Sequence, residues 1–295
     1  MTALLASQAD NPQYSITIDW LAFTFKGDTH EAAAWIRLLA SDTAAMAITP
    51  TNGYRAAYRT TDGIVVQWNV DREEMGRHVI IAGSAIRHVL EYHELDQTAL
   101  IQTVLNAGGS ITRLDLAKDV QGVTVSLDEI YKAMERGEHS GNARSFSQIH
   151  SLGGGNTIYV GSRQSEKFIR IYDKAAQSQL TGERWYRFEL ETKGMVARAL
   201  ASLLSENSQW ASAFATIALA MVDLPSNRHY RAFFADAFTP IGIPKLEKKS
   251  DREMWIETQV TPAVAKHLVE YPDSEAVKRL VALLDLIRGQ GNNPE

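Results

Sequence analysis

ITRLDLAKDV, residues 111–120, alternates with the two-residue period of a β-strand. Arg113, Asp115, Ala117 and Asp119 fall on one face, and Leu114, Leu116 and Lys118 on the other. The leucines ask for a core and pin the register, because a slip of one residue would turn every side chain to the wrong side. An earlier stretch, SITIDWLAFTF (15–25), is rich in β-branched and aromatic residues, and its ITID (16–19) echoes ITRLD (111–115). A helical reading follows each. THEAAAWIRLLA (29–40) comes after the first, and SLDEIYKAMERG (126–137) after the second, opened by Ser126 and Glu129 in capping-box spacing. More strands come next. YRAAYRTTDGIVVQWNV (54–70) reads as a hairpin around Asp62-Gly63, followed by RHVIIAG (77–83) and one or two helices stopped at Gly108-Gly109. In the second half RSFSQIHS (144–151), NTIYVGS (156–162), KFIRIYDK (167–174) and RWYRFELET (184–192) are strand candidates.

This order predicts an α+β fold, a largely antiparallel sheet with helices on one face. The repeated strand–helix–strands pattern suggests an internally duplicated βαβββ unit; two unrelated βα units are the alternative. After Lys193 the chain turns helical, over about 193–206, 208–222, 250–270 and 274–288, punctuated by Pro225, Pro240, Pro244, Pro262 and Pro272. The expected division is therefore 1–192 and 193–295.

No run of about 18 apolar residues occurs, so no membrane span is expected. The opening MTALLASQAD lacks a basic leader and a long apolar core, so no signal peptide is expected either. The chain has no cysteine, which excludes disulfides, thiolate metal sites and a cysteine nucleophile and suits a cytoplasmic location. A net charge of −5 and a pI of about 5.9 argue against a protein that coats nucleic acid without selectivity. A local basic groove stays open, because residues 161–200 carry eight Lys/Arg against five Asp/Glu.

In RWYRFELET, Arg187, Glu189 and Glu191 share a face opposite Phe188 and Leu190. In FIRIYDK, Arg170, Tyr172 and Lys174 lie opposite Ile169 and Ile171. If these strands join ITRLDLAKDV in one sheet, carboxylates, a tyrosine and arginines meet on one surface. Adjacent carboxylates repel unless cations pair with them. A solvent-facing lattice of Arg–Glu pairs satisfies this, and so does a divalent cation held by hard oxygen ligands. A tyrosine beside such a site is a weak nucleophile at its ordinary pKa of about 10. Arg, Lys and a metal ion nearby would favour its phenolate. The bland alternative is an ordinary half-buried strand tyrosine.

These stretches resemble the replication initiation factors of rolling-circle plasmids and filamentous phages and the related relaxases of mobile elements. The resemblance rests on IDWLAFTF, ITRLDLAKD, YVGSRQSEKFIRIYDK with WYRFELE, and WIETQVTPAVAKHL, in that order across about residues 15 to 270. It implies a metal-dependent, site-specific nickase and strand transferase acting on one DNA strand at an origin, through a 5′-phosphotyrosine intermediate. The nucleophile falls on Tyr172. The metal positions fall on Asp115, Glu189 and Glu191, with Asp119 as a further candidate, and would take Mg²⁺ or Mn²⁺. Asp19 echoes Asp115 and is either a ligand or a strand-closing residue. Arg163, Lys167, Arg170, Lys174, Arg187 and Arg113 would receive DNA phosphates. Residues 1–192 would be catalytic, and 193–295 would serve DNA recognition or self-association. Expected partners are origin DNA (single-stranded at the nick, duplex or hairpin nearby), a host helicase and a second copy of the chain. A relaxase starting conjugative transfer, a nuclease using metal-bound water and a nonenzymatic origin-binding regulator are the competing readings.

Overall fold

The computed structural model describes residues 13–26, 44–151, 155–206, 209–235, 241–243 and 260–290. The predicted helix over 29–40 and the first part of the predicted helix over 250–270 lie outside them. The architecture is α+β, as expected. Ten strands form one antiparallel sheet in the order β2-β3-β4-β5-β1-β6-β10-β9-β8-β7. They are β1 Gln13–Phe25, β2 Ala45–Ala47, β3 Ala56–Thr60, β4 Val65–Trp68, β5 Arg77–Ala82, β6 Ser110–Gln121, β7 Phe146–Ser151, β8 Gly155–Val160, β9 Lys167–Asp173 and β10 Trp185–Lys193.

The two long strands β1 and β6, which hold the ITID and ITRLD echo, pair at the centre. Each half then follows one plan: a central strand, three strands added inward from the edge, and a fourth that returns to pair with the central one. Each half thus has five strands, one more than the expected unit. Gly83 after β5 and Gly194 after β10 both sit at φ 56°, the left-handed region that only glycine enters at little cost. There the chain leaves the sheet and turns into a helix.

The helices are α1 Ser84–Tyr92, α2 Gln97–Asn106, α3 Leu127–Glu135, α4 Lys174–Gln177, α5 Gly194–Glu206, α6 Trp210–Met221 and α7 Arg228–Arg231, then α8 Thr261–Glu270 and α9 Glu275–Gln290. Ser126 caps α3 as its spacing predicted, its hydroxyl accepting from the Glu129 amide at 3.3 Å. Ile86, Val89, Leu100, Ile101, Ile130, Leu200, Leu204 and Phe214 are buried from the helices, against Leu21, Phe23, Leu114, Leu116, Ile169, Ile171, Phe188 and Leu190 from the strands. At about 25 cal/mol per Å² of apolar area, this single layer of helix on sheet is the main stabilising term. The other sheet face is left for polar side chains.

The chain divides into two compact units, Met1–Lys245 and Leu246–Glu295. The expected division at 192 falls inside the first of these units. The reason is local: Ala197, Leu200, Ala201 and Leu204 of α5 are buried in the same core as the strands.

Candidate functional site

The open sheet face carries the charged constellation, and strand register sets its order. Directly paired residues across neighbouring strands share a face, and three parallel rows result. Trp20, Asp115, Glu191 and Phe168 form one, Ala117, Glu189, Arg170 and Tyr159 the next, and Asp119, Arg187, Tyr172 and Thr157 the third. The alternation read from the three strand sequences thus brings Asp115, Asp119, Glu189, Glu191, Arg113, Arg187, Arg170 and Tyr172 together. The facing apolar residues Leu116, Leu190, Ile169 and Ile171 are fully buried.

Each carboxylate is answered by an arginine. Asp115 and Glu191 lie directly opposite each other, which repulsion alone would forbid. Arg113 resolves the conflict: its Nη2 donates to Asp115 at 2.5 Å and to Glu191 at 2.7 Å. Lys193 adds a second cation to Glu191 at 2.6 Å. Burial nevertheless pushes the Asp115 carboxyl up to about 7, with Glu191 and Asp19 adding to the effect and Arg113 opposing it. Arg187 grips Asp119 in a bidentate pair, 2.7 Å at each contact, while Trp185 Nε1 donates to the same carboxylate at 2.8 Å. The same guanidinium reaches Asp19 at 3.1 Å.

Asp19 belongs to the site because of a β-bulge. The β1–β6 register shifts between Ile18 and Trp20, leaving Asp19 as the extra residue. Ile18 and Leu21 remain in the core, while Trp20 pairs with Asp115 on the open face. Arg113 lies over the Trp20 ring at 4.4 Å.

Tyr172 sits at the junction of the second and third rows. Its hydroxyl donates to Glu189 Oε1 at 2.5 Å, and the other carboxylate oxygen is held by Arg170. Only 7% of the residue is exposed. The expectation that its surroundings favour phenolate is therefore corrected. Burial and the Glu189 carboxylate raise the phenol's pKa above its ordinary 10, and Arg187 only partly offsets them. The phenol is held neutral, hydrogen-bonded to a ready acceptor.

Two of the expected phosphate contacts, Lys174 and Lys167, stand elsewhere than foreseen. Lys174 is not on the strand; it opens α4, where Asp173 caps the helix by accepting from the Ala176 amide at 2.8 Å. Its ammonium still lies over the Tyr172 and Trp185 rings, at 5.8 and 5.9 Å. Lys167 pairs with Thr192 and shares the parity of Ile169 and Ile171, opposite to the Tyr172 face. Arg163, in the β8–β9 turn, covers the rings of Tyr159 and Phe168 at 5.6 and 5.2 Å. Tyr131 packs edge-on against Phe146 and Tyr186 takes the parity of Phe188, whereas Tyr159 lies beside Tyr172 on the open face.

Among the described residues, no group of three or more His, Asp or Glu side chains is gathered to hold a metal ion. The expected acidic set is divided. Asp115 and Glu191 share Arg113, Asp119 shares Arg187 with Asp19, and Glu189 serves Tyr172. Asp115 and Glu191 converge on one nitrogen, which is hard-oxygen donor chemistry that fits a divalent cation in place of the guanidinium. No helix among the described residues is long and apolar enough to cross a membrane.

Residues 109–268 match the replication initiation factor family. A Bacillus subtilis (strain 168) protein named "Putative DNA relaxase NicK" is 29% identical over 157 residues, covering 48% of this chain and 44% of that protein. The chain thus spans less than half the length of this curated relative. Among solved structures, a rolling circle replication initiator protein from Geobacillus stearothermophilus superposes with a TM-score of 0.63 at 19% identity, over 74% of this chain and 91% of that one. At that identity the likeness is one of fold.

Proposed function

We propose that this chain, which belongs to the replication initiation factor family, is a DNA nicking-closing strand transferase that starts rolling-circle replication with Tyr172 as nucleophile. The observation that carries the reading is the Tyr172–Glu189–Arg170 constellation on the open sheet face. A nucleophile hydrogen-bonded to a base that a third group orients is the arrangement covalent catalysis requires.

Glu189 accepts the phenolic proton as the phenolic oxygen attacks the scissile phosphorus. The bond to the 3′ oxygen breaks, leaving a 5′-phosphotyrosine and a 3′-hydroxyl once that oxygen takes a proton. The hydroxyl primes synthesis, and the stored phosphodiester is rejoined by the reverse step with no external energy source. Arg187 and Lys174, beside the phenol, and Arg170, behind Glu189, receive phosphate oxygens and neutralise charge that builds in the transition state. The rigid strand pairing of β9 and β10 fixes the phenol against its acceptor, which supplies the orientation part of the rate.

Asp115 and Glu191, with Asp19 nearby, would hold Mg²⁺ or Mn²⁺. Bound there, the ion would polarise a phosphoryl oxygen as a Lewis acid. Arg113 would then release at least one of its carboxylates. Asp119, tied to Arg187 and Trp185, positions Arg187 in this scheme. Origin DNA is the substrate, and the C-terminal helices α8 and α9 serve duplex recognition or self-association. A host helicase would extend the opened strand. The relative named as a relaxase favours a second reading, in which the same nicking chemistry starts conjugative transfer.

The test is a denaturing gel of the chain with labelled origin-derived single strands and Mg²⁺ or Mn²⁺. A covalent protein–oligonucleotide adduct supports the strand transferase. Cleavage without adduct points to a hydrolytic nuclease, and binding without cleavage to a nonenzymatic regulator; either result defeats the proposal.

A further inference from the structure

The open face is not uniform. Its carboxylates, Asp19, Asp115, Asp119, Glu189 and Glu191, all lie on β1, β6 and β10. Over β7, β8 and β9 the same face carries Ile149, Thr157, Tyr159, Phe168 and Arg170, with Arg163 from the adjoining turn. Register fixes this: Tyr159 pairs with Arg170, Thr157 with Tyr172 and with Ile149, and Phe168 with Glu191. Among the described strands the second region presents no carboxylate on this face to a phosphate backbone, while the first occupies its cations with carboxylates. Tyr159 and Phe168 stack with ring centroids 5.8 Å apart and planes 23° from parallel, under the Arg163 guanidinium. Ile149, one strand further out, is 53% exposed. The turn that carries Arg163 is tied to the acidic rows, because Lys193 donates to the Arg163 carbonyl at 2.6 Å and also pairs with Glu191. Tyr159 is diagonal to Tyr172 across β8 and β9, a separation of about 7–8 Å between such positions.

We infer that Tyr159, half-buried and backed by the buried Phe168 ring, forms with Arg163 a stacking platform for an unpaired base next to the scissile phosphate, so that the single strand crosses the sheet over β7–β9. The inference rests on the nicking reading for its substrate. The accessible part of the Tyr159 ring offers a π-face to any base, Phe168 supports it from below, and the guanidinium adds a cation–π contact and a phosphate partner. A paired duplex hides those base faces, so the platform selects single strands. It places the strand without reading its sequence.

The experiment uses the full chain carrying Tyr172→Phe, which binds without cleaving, and a mixed-sequence single-stranded oligonucleotide with one 2-aminopurine, alongside its duplex. Tyr159→Ala should weaken single-strand binding by about five- to 150-fold, the range of one lost base stack. It should also relieve the 2-aminopurine quenching. Tyr159→Phe keeps the ring and should restore both. The salt dependence of binding should keep its slope in Tyr159→Ala, because no phosphate contact is removed, and should shallow in Arg163→Ala. Unchanged single-strand affinity in Tyr159→Ala overturns the platform, and so does equal weakening of single strand and duplex. Adduct formation by the Tyr172-containing chain is scored separately. An adduct without a Tyr159 effect defeats the platform alone; a Tyr159 effect without an adduct defeats the nicking reading alone.

Discussion

Replacing Glu189 by Gln separates a catalytic carboxylate from a structural one. Gln keeps an acceptor oxygen within reach of the Tyr172 hydroxyl, so the 2.5 Å contact survives as a neutral hydrogen bond. What is lost is the negative charge, with two opposite consequences. The carboxylate is the main specific cause, after burial, of the raised Tyr172 pKa, so the Gln variant should titrate at lower pH by ultraviolet tyrosinate absorbance. An easier phenolate would speed nicking if Glu189 were only a structural partner. If Glu189 takes the proton, the rate should instead fall by about 10²- to 10⁴-fold, the usual worth of a positioned base. Stability should drop by about 1–2 kcal/mol, because Arg170 loses its counter-ion while one-third exposed, where water compensates. Single-turnover adduct formation across pH, with the tyrosinate titration on the same samples, gives both numbers. A Gln variant that nicks as fast as the parent while its phenol titrates lower would refute the assignment.

Asp115→Asn should change how stability depends on pH. The folded carboxyl is raised from 3.8 to about 7, so the wild-type site is most stable with Asp115 protonated and loses that stability as pH climbs through this window. Thermal melts of wild type and Asp115→Asn should agree near pH 4 and diverge towards pH 8, with Asn the more stable by at most about 4 kcal/mol; parallel curves would contradict the burial argument. Arg187→Leu strips the bidentate partner from buried Asp119 and should cost about 3–5 kcal/mol in denaturant unfolding, whereas a cost under about 1 kcal/mol would contradict the reading of this contact as a buried, tightly held pair. Gly76→Ala forces a Cβ to within 2.1 Å of the Phe25 carbonyl oxygen at φ 70° and should destabilise by well over about 1 kcal/mol, read from the same unfolding curves. Mn²⁺ titrated onto the wild-type chain, followed by paramagnetic broadening, should give binding that Asp115→Ala with Glu191→Ala abolishes, and retained binding in that double variant would place the ion elsewhere.

Period-two alternation explains why much of this site could be read from the sequence. Leu114/Leu116, Phe188/Leu190 and Ile169/Ile171 each demand burial, and the residues between them are carried to the other face. The Ser126–Glu129 cap was legible for a similar reason, because one short-range contact determines it. Asp19 was harder. Strict alternation puts Asp19 and Trp20 on opposite faces, and only the bulge, set where Trp20 pairs with Asp115 on a strand distant in sequence, brings both to the open side. Lys174 was assigned to the strand because its parity matched, but the Asp173 cap ends the strand there. Lys167 is the reverse case: its parity with Ile169 is legible in KFIRIYDK and already sets it on the face opposite Tyr172. The phenol's protonation was out of reach of a one-dimensional pattern, because it depends on Glu189, a cross-strand neighbour 17 residues on, and on burial of the ring. The boundary at 192 followed the change from strands to helices, while the core continues through α5.

The central claim is that the Tyr172 oxygen becomes bonded to DNA. The most direct measurement is peptide mapping by mass spectrometry of the chain after reaction with a labelled origin single strand and Mn²⁺, run beside Tyr172→Phe. That variant removes one oxygen and the hydrogen bond to Glu189, a change of about 1 kcal/mol that leaves the fold in place. The account predicts a nucleotide-modified peptide containing Tyr172 in the parent chain and no adduct in Tyr172→Phe. An adduct that persists in Tyr172→Phe, or one mapped to Tyr159, would contradict it.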